Sequence, residues 1–217
     1  MIDTSALLAI LFNEPDAEHC ELALATDPVR LISAASVLEA AVVVETRLGE
    51  AGGRELDELL STALQPSRQA FVDSRIPGHE RVIFNVIGRG VTEDASLQPA
   101  IVDAQGFNLT FVHAAPGKGA ALHSHSTVEV FTPLCGEWSI YWGEKGEEEI
   151  ILGPWDTISV PPGVMRGFRN VGQEEAYLMA ILGGTDAGRV SWAPQVLEQA
   201  RQTGLQSDAQ GDLIDKS

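Results

Sequence analysis

Apolar residues between positions 1 and 64 recur mostly at helical spacing, which sets this part of the chain apart from the rest. The pattern predicts a helix over about Ala6–Ala25 that Pro15 interrupts, because proline has no amide hydrogen to donate and its ring clashes with the preceding turn. A strand follows, and then two helices that Gly49 separates, the first beginning at the capping-box sequence Ser36–Glu39. The strand is predicted over Arg30–Ser33 and the last helix over Arg54–Leu64.

From Pro66 onward, short runs of aromatic and β-branched residues replace the helical pattern, and turns with glycine or proline separate them. Many short strands with regular turns are typical of an all-β sandwich or barrel. An amphipathic stretch, about Pro194–Thr203, predicts a terminal helix, and Ser207–Ser217 is expected to be a loose polar tail. The predicted fold class is mainly β, with an α/β segment before the barrel and a short helix after it. The strands are predicted over Arg81–Gly88, Phe107–Ala114, Val128–Leu134, Trp138–Trp142, Glu149–Leu152, Thr157–Val160, Arg166–Asn170 and Ala176–Leu182.

The chain is strongly acidic in both parts. Its 217 residues include 14 Lys and Arg against 31 Asp and Glu, a formal net charge of −17. Residues 1–65 hold three basic and twelve acidic side chains (−9), and residues 66–217 hold eleven and nineteen (−8). This excess argues against nucleic-acid partners and docking on anionic membranes, because both are bound mainly through Lys and Arg. It does not exclude a metal-dependent nuclease, since a metal ion can join acidic side chains to phosphate.

Cysteine content and hydropathy indicate a location inside the cell. Cys20 and Cys135 are far apart in the sequence, so no disulfide scaffold is needed, and two cysteines suit a reducing compartment. The first residues lack the basic region of a signal peptide, and no apolar run approaches the roughly 20 residues that cross a bilayer. We therefore expect a cytoplasmic protein without a membrane-spanning segment.

The clearest chemical signal is the sequence Gly117-x5-His123-x-His125-x3-Glu129-x6-Gly136. In an extended chain side chains alternate between faces, so positions 123, 125 and 129 are expected to point the same way. Two imidazoles and one carboxylate suit Zn, Fe, Mn, Ni or Cu. The alternative is a polar strand edge with two exposed histidines and no ligand.

These residues resemble the cupin family. The resemblance covers about residues 66–192 and implies a small jelly-roll barrel with a metal site at its mouth and a homodimeric assembly. Cupins include dioxygenases, isomerases, decarboxylases, epimerases and binding proteins, so the fold does not settle the reaction. The first cupin motif is matched at Gly117, His123, His125, Glu129 and Gly136, and the second is partly matched at Asp156, Pro161, Gly163, Arg166 and Asn170.

The second motif departs from the family at Arg166, where cupins supply a third histidine ligand. Arginine only donates hydrogen bonds, stays charged and does not coordinate a metal. The remaining His123, His125 and Glu129 resemble a facial triad of two histidines and one carboxylate with open positions. Two arrangements follow: Arg166 holds an anionic ligand while the metal takes its other end, or Arg166 pairs with Glu129 and no metal is bound.

Residues 1–64 resemble the start of a PIN domain of the VapC toxin type. The resemblance implies a Mg²⁺-dependent ribonuclease with clustered acids, of which Asp3 and Glu39 match the first two, and an antitoxin-type partner for this segment. The later acids of the family have no counterpart here, and Glu39 and Asp3 have structural alternatives as a capping-box residue and a turn former. The resemblance is carried by Asp3–Ile10, Glu14-Pro15, Ile32–Glu39 and Arg47–Gly49.

The sequence therefore predicts a truncated PIN-like segment over residues 1–64, a cupin barrel over 66–192, and a helix with a polar tail over 193–217. The abrupt change at Gln65-Pro66 suggests a fusion of a toxin fragment to a barrel. The leading hypothesis is a protein that binds a divalent transition metal and a small anionic molecule in the barrel, either as an enzyme of the oxygenase or isomerase type or as a binding protein. The alternatives are a metal-free ligand-binding cupin and a degenerate ribonuclease fragment.

Overall fold

The computed structural model of the chain describes residues 2–26, 34–63 and 65–216. It divides into two units, one formed by residues up to 65 together with 99–101, and the other by residues 66–98 and 102 onward. The strand predicted over Arg30–Ser33 lies outside the described residues. Among the described residues, no helix has the length and apolar character needed to cross a bilayer.

Three helices make up most of the first unit: α1 over Thr4–Leu11, α2 over Ala17–Thr26 and α3 over Ala34–Ala63. The predicted interruption near Pro15 is confirmed, because it lies between α1 and α2. The predicted stop at Gly49 is confirmed as a kink, where φ of 61° and ψ of −154° break the helical path of α3. Glycine adopts this left-handed φ without steric cost.

The second unit is built from antiparallel strands, so the predicted mainly-β class is confirmed. One sheet has the order β1-β2-β3-β10-β5-β8, the other β11-β4-β9-β6-β7, and β12 pairs with β13 in a separate hairpin. The helix α4 over Pro194–Gln202 agrees with the predicted terminal helix. The strands are β1 Pro66–Ser67, β2 Val82–Ile87, β3 Phe107–Ala114, β4 Gly119–Ser124, β5 Glu129–Pro133, β6 Trp138–Trp142, β7 Glu148–Leu152, β8 Ile158–Val160, β9 Arg166–Asn170, β10 Ala176–Gly183, β11 Ser191–Trp192, β12 Leu205–Ser207 and β13 Leu213–Asp215.

The core of the barrel consists of inward-facing residues from both sheets. In β10 alternate positions are buried, from Ala176 to Leu182, as the period of two in a strand requires. Phe131 from one sheet meets Phe168 from the other at 5.4 Å between ring centroids, with the rings inclined at 60°. Such edge-to-face contacts add to the stabilisation that burial of the aromatic surface provides.

The strand β4 was not predicted, although it carries a candidate ligand. Its sequence, Gly-Ala-Ala-Leu-His-Ser, contains no β-branched residue and has weak strand propensity. Glycine is needed at position 119 because the neighbouring strand is close: a Cβ atom there would lie 1.9 Å from the carbonyl oxygen of Phe168. Close backbone approach in the barrel therefore determines this strand.

The prediction of a loose tail over Ser207–Ser217 is wrong for the described residues, since β12 and β13 form a hairpin there. The Asp208 carboxylate accepts hydrogen bonds from the amides of Gln210 and Asp212 in the turn. The amide of Leu213 donates to the carbonyl of Glu93 at 2.7 Å, which joins the hairpin to the barrel unit. Aspartate commonly stabilises a turn in this way, and the polar composition concealed it.

Candidate functional site

The three candidate metal ligands converge where the chain passes from one sheet to the other. His123 lies near the end of β4, Glu129 begins β5, and His125 lies in the connection between them. One ligand atom from each lies within 4.8 Å of the others, and all three side chains are buried. Burial contradicts the alternative of exposed histidines. The three residues come from two strands of different sheets and from the connection between them, so the fold of the barrel, and not alternation along one strand, brings them together.

Both histidines offer a ring nitrogen to a ligand. His123 Nδ1 lies 2.7 Å from the carbonyl oxygen of Ala121, which only accepts, so Nδ1 carries the proton and Nε2 keeps a lone pair. Burial, reinforced by the interactions with His125 and Arg166, holds the pKa of His123 well below its usual value, so the ring is neutral. His125 Nδ1 is buried without a hydrogen-bond partner among the described residues.

The carboxylate of Glu129 is ionised despite its burial. Burial raises the pKa, but the hydrogen bond and charge of His125 and the charge of Arg166 outweigh it and lower the pKa to about 2. Arg166 Nε and Nη2 lie 2.9 and 2.8 Å from Glu129 Oε2, and Arg166 Nη1 donates to the carbonyl of Val164 at 3.1 Å. The structure therefore has Arg166 paired with Glu129, and Arg166 does not line the cavity described next.

A narrow cavity adjoins the cluster. His123, His125 and Glu129 line it together with apolar residues of both sheets, among them Phe168. The volume of the cavity is about 40 Å³. Since one water needs roughly 10–15 Å³ on this measure, the cavity has room for about three waters or a ligand of a few heavy atoms.

Sequence reasoning missed Arg81, which also lines the cavity. Arg81 precedes β2 and forms a buried ion pair with Asp73, with 3.0 Å between Nη1 and Oδ1. Asp73 lies in a short 3-10 helix over Val72–Arg75 and also accepts the amide of Ala121 at 2.9 Å. No motif marks either residue, because only the folding of the barrel brings them beside the cavity.

The two acidic residues matched to the PIN pattern both lie near the start of α1. Asp3 caps the helix by accepting the amide of Ser5 at 2.9 Å, and the hydrogen bonds from Ser5 lower its pKa. Glu39 Oε2 accepts the hydroxyl of Thr4 at 2.8 Å. Both acids are exposed. Within the part of the chain that the structure describes, the His123 cluster is the one group of three His, Cys, Asp or Glu residues close enough to hold a metal.

Comparison with protein families gives two matches in this chain. A family model described as a cupin domain matches residues 110–182, and one described as a PIN domain matches residues 1–74. The cupin match contains the candidate metal ligands. The PIN match contains Asp3 and Glu39.

Relatives of known sequence match the N-terminal part. A "Ribonuclease VapC" of Mycolicibacterium smegmatis is 41% identical over 128 residues, which cover 52% of this chain and 98% of the relative. "Ribonuclease VapC30" of Mycobacterium tuberculosis is 59% identical over 63 residues. That match covers 29% of this chain, and the chain spans about half of VapC30 (48%).

Solved structures similar to this one include cupins. A cupin 2 domain-containing protein from Halorhodospira halophila has a TM-score of 0.42 and 18% identity, covering 55% of this chain and 75% of that one. The polyketide cyclase RemF from Streptomyces resistomycificus has a TM-score of 0.44 and 18% identity, covering 60% of this chain and 80% of that one. Through its N-terminal part the chain belongs to the VapC family, and it carries a cupin domain after that part.

Proposed function

We propose that the cupin domain binds a divalent transition metal, one of Fe, Mn, Ni, Zn or Cu, through His123, His125 and Glu129, and a small anionic ligand in the adjoining cavity. The observation that carries the proposal is the convergence of three buried donor side chains within 4.8 Å. Two imidazole nitrogens and a carboxylate suit these metals and leave coordination positions open.

The donor set fits a metal in spite of the nearby guanidinium. A carboxylate has two oxygens with about four lone-pair sites, so it accepts an arginine and coordinates an ion at the same time. The contacts of Arg166 both fall on Oε2 of Glu129. Arg166 would then act as a positioning residue that fixes the carboxylate, as hydrogen-bonded partners of metal ligands commonly do.

The charge balance favours an anionic ligand. Arg166 already neutralises Glu129, and the His123 ring is neutral. A divalent ion would leave a buried excess of positive charge, and burying unpaired charge is costly. An anionic ligand of a few heavy atoms would reduce that cost and fits the volume of the cavity.

We propose further that the domain is an enzyme of the oxygenase or isomerase type. A bound metal of this class supplies a Lewis acid or a site for O₂. The residues of the chain would hold and orient the ligand: His123 and His125 present ring nitrogens, Arg166 contacts Glu129, and the cavity wall around Phe168 is largely apolar.

Elemental analysis of the full chain, before and after reconstitution with Fe²⁺, Mn²⁺ or Zn²⁺, tests the metal site. We expect about one metal per chain and its loss in the double variant His123→Ala, His125→Ala. His113→Ala is the matched control, since His113 stacks on Tyr177, outside the cluster. A chain that takes up no metal after reconstitution, or a double variant that keeps it, would contradict the proposal.

A metal-free binding protein is the second candidate, and the closed ion pair between Arg166 and Glu129 favours it. In that case the purified chain binds a small carboxylate but takes up no metal. Metal uptake at one ion per chain, lost in the double histidine variant, decides against it.

For the N-terminal part we propose a residual Mg²⁺-dependent ribonuclease, which the similarity to Ribonuclease VapC over 98% of that relative supports. Asp3 and Glu39 would hold the ion. Asp3→Asn should abolish RNA cleavage by the full chain, whereas Asp16→Asn, at another exposed acid, should not. Absence of Mg²⁺-dependent cleavage by the parent chain ends this proposal.

The proposed assembly is a homodimer, with an antitoxin-type protein as the partner of residues 1–64. Light scattering on the full chain tests the dimer, and a monomer at micromolar concentration would contradict it. The segments 1–64, 66–192 and 193–217 remain our proposal for the domain organisation.

A further inference from the structure

Arg81 presents a buried guanidinium to the cavity from a position that the proposed metal site does not use. Its side chain is 2% exposed and lines the cavity. The guanidinium carbon lies over two aromatic rings, 5.0 Å from the centroid of Phe71 and 5.9 Å from that of Phe168. Two rings and an ion pair with Asp73 hold the group in one orientation.

The hydrogen bonds between Arg81 and the described residues all use one nitrogen. Nη1 contacts Asp73 Oδ2 at 3.0 Å, the carbonyl of His79 at 2.8 Å and the carbonyl of Gly119 at 3.1 Å. Nε is buried without a partner, and within residues 65–216 no protein acceptor binds Nη2. The edge formed by Nε and Nη2 is one that binds a carboxylate with two parallel hydrogen bonds.

We infer that the Nε–Nη2 edge of Arg81 binds the carboxylate group of a small ligand in the barrel cavity. This deepens the proposed function and rests on it for the existence of an anionic ligand. It assigns the anion to Arg81, whereas the sequence pointed to Arg166.

Arg166 is less suited to this role because a carboxylate of the protein already lies against its Nε–Nη2 edge, although Nη2 makes no hydrogen bond among the described residues. Its Nε and Nη2 both face Glu129 Oε2, its Nη1 donates to Val164, and the residue does not line the cavity. The counter-ion of Arg81, Asp73, also does not line the cavity and is held by the amide of Ala121. An incoming carboxylate would therefore meet the open edge of Arg81 and not the negative charge of Asp73.

The geometry also limits the ligand. The Phe168 ring contacts the guanidinium of Arg81 and meets the His123 ring edge-to-face at 6.4 Å between centroids. Arg81 and the His123 cluster thus flank the same ring in one cavity. With room for about three waters, the cavity suits a carboxylate of a few heavy atoms, with its charged group at Arg81 and its other end toward His123.

Acetate is the probe for this assignment. Its affinity for the full chain is measured by line broadening of ¹³C-acetate, once after metal removal and once with Zn²⁺ added. Arg81→Lys keeps the charge but loses the two parallel N–H donors, so the affinity for acetate should fall about tenfold. Arg81→Gln also removes the charge, so the affinity should fall further. Metal uptake by both variants should equal that of the parent chain.

A second measurement covers the case in which the Arg81 variants fail to fold, since they leave Asp73 buried without its partner. In the parent chain, acetate should shift the ¹⁵N–¹H resonance of Arg81 Nε and leave that of Arg166 Nε in place. The double variant Asp73→Asn, Arg81→Gln removes both charges and should fold without binding acetate.

The outcomes separate this inference from the metal proposal. Acetate binding that depends on Arg81 in a chain without metal uptake supports the inference and contradicts the metal site. Metal uptake together with equal acetate affinity in the parent chain and Arg81→Gln overturns the inference and leaves the metal site standing. Absence of acetate binding by the parent chain, with and without Zn²⁺, also overturns the inference.

Discussion

Arg166–Glu129 and Arg81–Asp73 are both buried ion pairs in the barrel unit, and they differ in which side of the guanidinium the protein occupies. Arg166 directs Nε and Nη2 at a single carboxylate oxygen, 2.9 and 2.8 Å away. Among the described residues, Arg81 makes its hydrogen bonds through Nη1, and its Nε has no hydrogen-bond partner. Arg166 does not line the cavity, whereas Arg81 does.

The difference shows how one kind of interaction serves two purposes. A guanidinium whose Nε–Nη2 edge faces a carboxylate of the protein fixes that carboxylate in place, and this suits a residue that positions the metal ligand Glu129. A pair with a free, desolvated edge keeps donors for a ligand, because a buried donor without an acceptor is unfavourable. Burial, ion pairing and one buried nitrogen without a hydrogen bond are common to both arginines. They differ because Glu129 lies against the Nε–Nη2 edge of Arg166, and because Arg81 lines the cavity and Arg166 does not.

Removing Arg166 should have the largest effect on stability. Arg166→Met leaves the Glu129 carboxylate buried without its cation, which should lower the free energy of unfolding by about 3–5 kcal/mol. Urea unfolding followed by tryptophan fluorescence measures it. All four tryptophans lie in the second unit, so the signal reports on the barrel.

The double variant Glu129→Gln, Arg166→Met is the control for that measurement. It removes both charges, so most of the lost stability should return, because replacing a whole buried pair by neutral residues is often close to neutral. If the free energy of unfolding of Arg166→Met lies within about 1 kcal/mol of that of the parent chain, Arg166 does not form the buried ion pair with Glu129 that the distances indicate.

Metal binding should stabilise the barrel through the His123 cluster and not through Arg81. With free Zn²⁺ at 100 times its Kd, the free energy of unfolding should rise by about 2.7 kcal/mol. The gain should disappear in His123→Ala, His125→Ala and persist in Arg81→Lys, since Arg81 belongs to the ligand side of the cavity. Thermal unfolding with and without Zn²⁺ provides the measurement. An equal gain in stability in the parent chain, the double histidine variant and Arg81→Lys would show that Zn²⁺ does not bind at the His123 cluster.

Much of the barrel could be predicted because its strands carry a strong local signal. Phe107–Ala114, Trp138–Trp142 and Arg166–Asn170 are rich in aromatic or β-branched residues or bounded by turns, and the structure has strands with those bounds. The signal fails in β4, where the close approach of Phe168 leaves no room for a side chain at Gly119 and the strand has no β-branched residue. It fails again at the C-terminal hairpin, whose Asp208 turn resembles a disordered polar tail in composition.

Only the residues of the candidate site that belong to a motif with a recognisable spacing could be predicted from the sequence. The intervals between His123, His125 and Glu129 identified the cluster, although the residues meet across two strands and not along one. Arg166 at a ligand position left two arrangements open, and its contact with Glu129, 37 positions away in the sequence, follows only from the folded barrel. Arg81 lies 42 positions before His123 and belongs to no motif, so its place in the cavity follows from tertiary structure alone.

Glu93 is a buried carboxylate whose hydrogen-bond donors among the described residues are all neutral, so its pH dependence can be compared with that of Glu129, which has Arg166 beside it. Glu93 accepts neutral donors, the amide of Val72 at 2.7 Å, the indole of Trp192 at 3.0 Å and the hydroxyl of Ser207 at 3.0 Å. Burial raises its pKa despite these bonds, and the charge of Asp73 raises it further. Glu129, which has Arg166 beside it, shows the opposite direction.

The sign for Glu93 follows from linkage. Because the pKa of Glu93 is higher in the folded than in the unfolded chain, its protonation stabilises the folded state. This stabilisation is fully present below the pKa of the unfolded chain, near 4.5, and is lost as the pH rises through the pKa of the folded chain. Lowering the pH from 7 toward 4.5 should therefore stabilise the parent chain relative to Glu93→Gln. Urea midpoints of both chains across this window measure it, and parallel profiles would show that Glu93 is ionised as readily as an exposed carboxyl.

An exposed ion pair of the same length should give the smallest effect. Lys118 Nζ lies 2.8 Å from Glu80 Oε2, the distance that Arg166 Nη2 has to Glu129, but both side chains are at least one-third exposed, at 35% and 49%. Water screens the charges and the long side chains lose entropy, so Lys118→Met should cost less than about 1 kcal/mol in the urea experiment. A loss as large as that of Arg166→Met would mean that distance, and not burial, determines the strength of the pairs in this barrel.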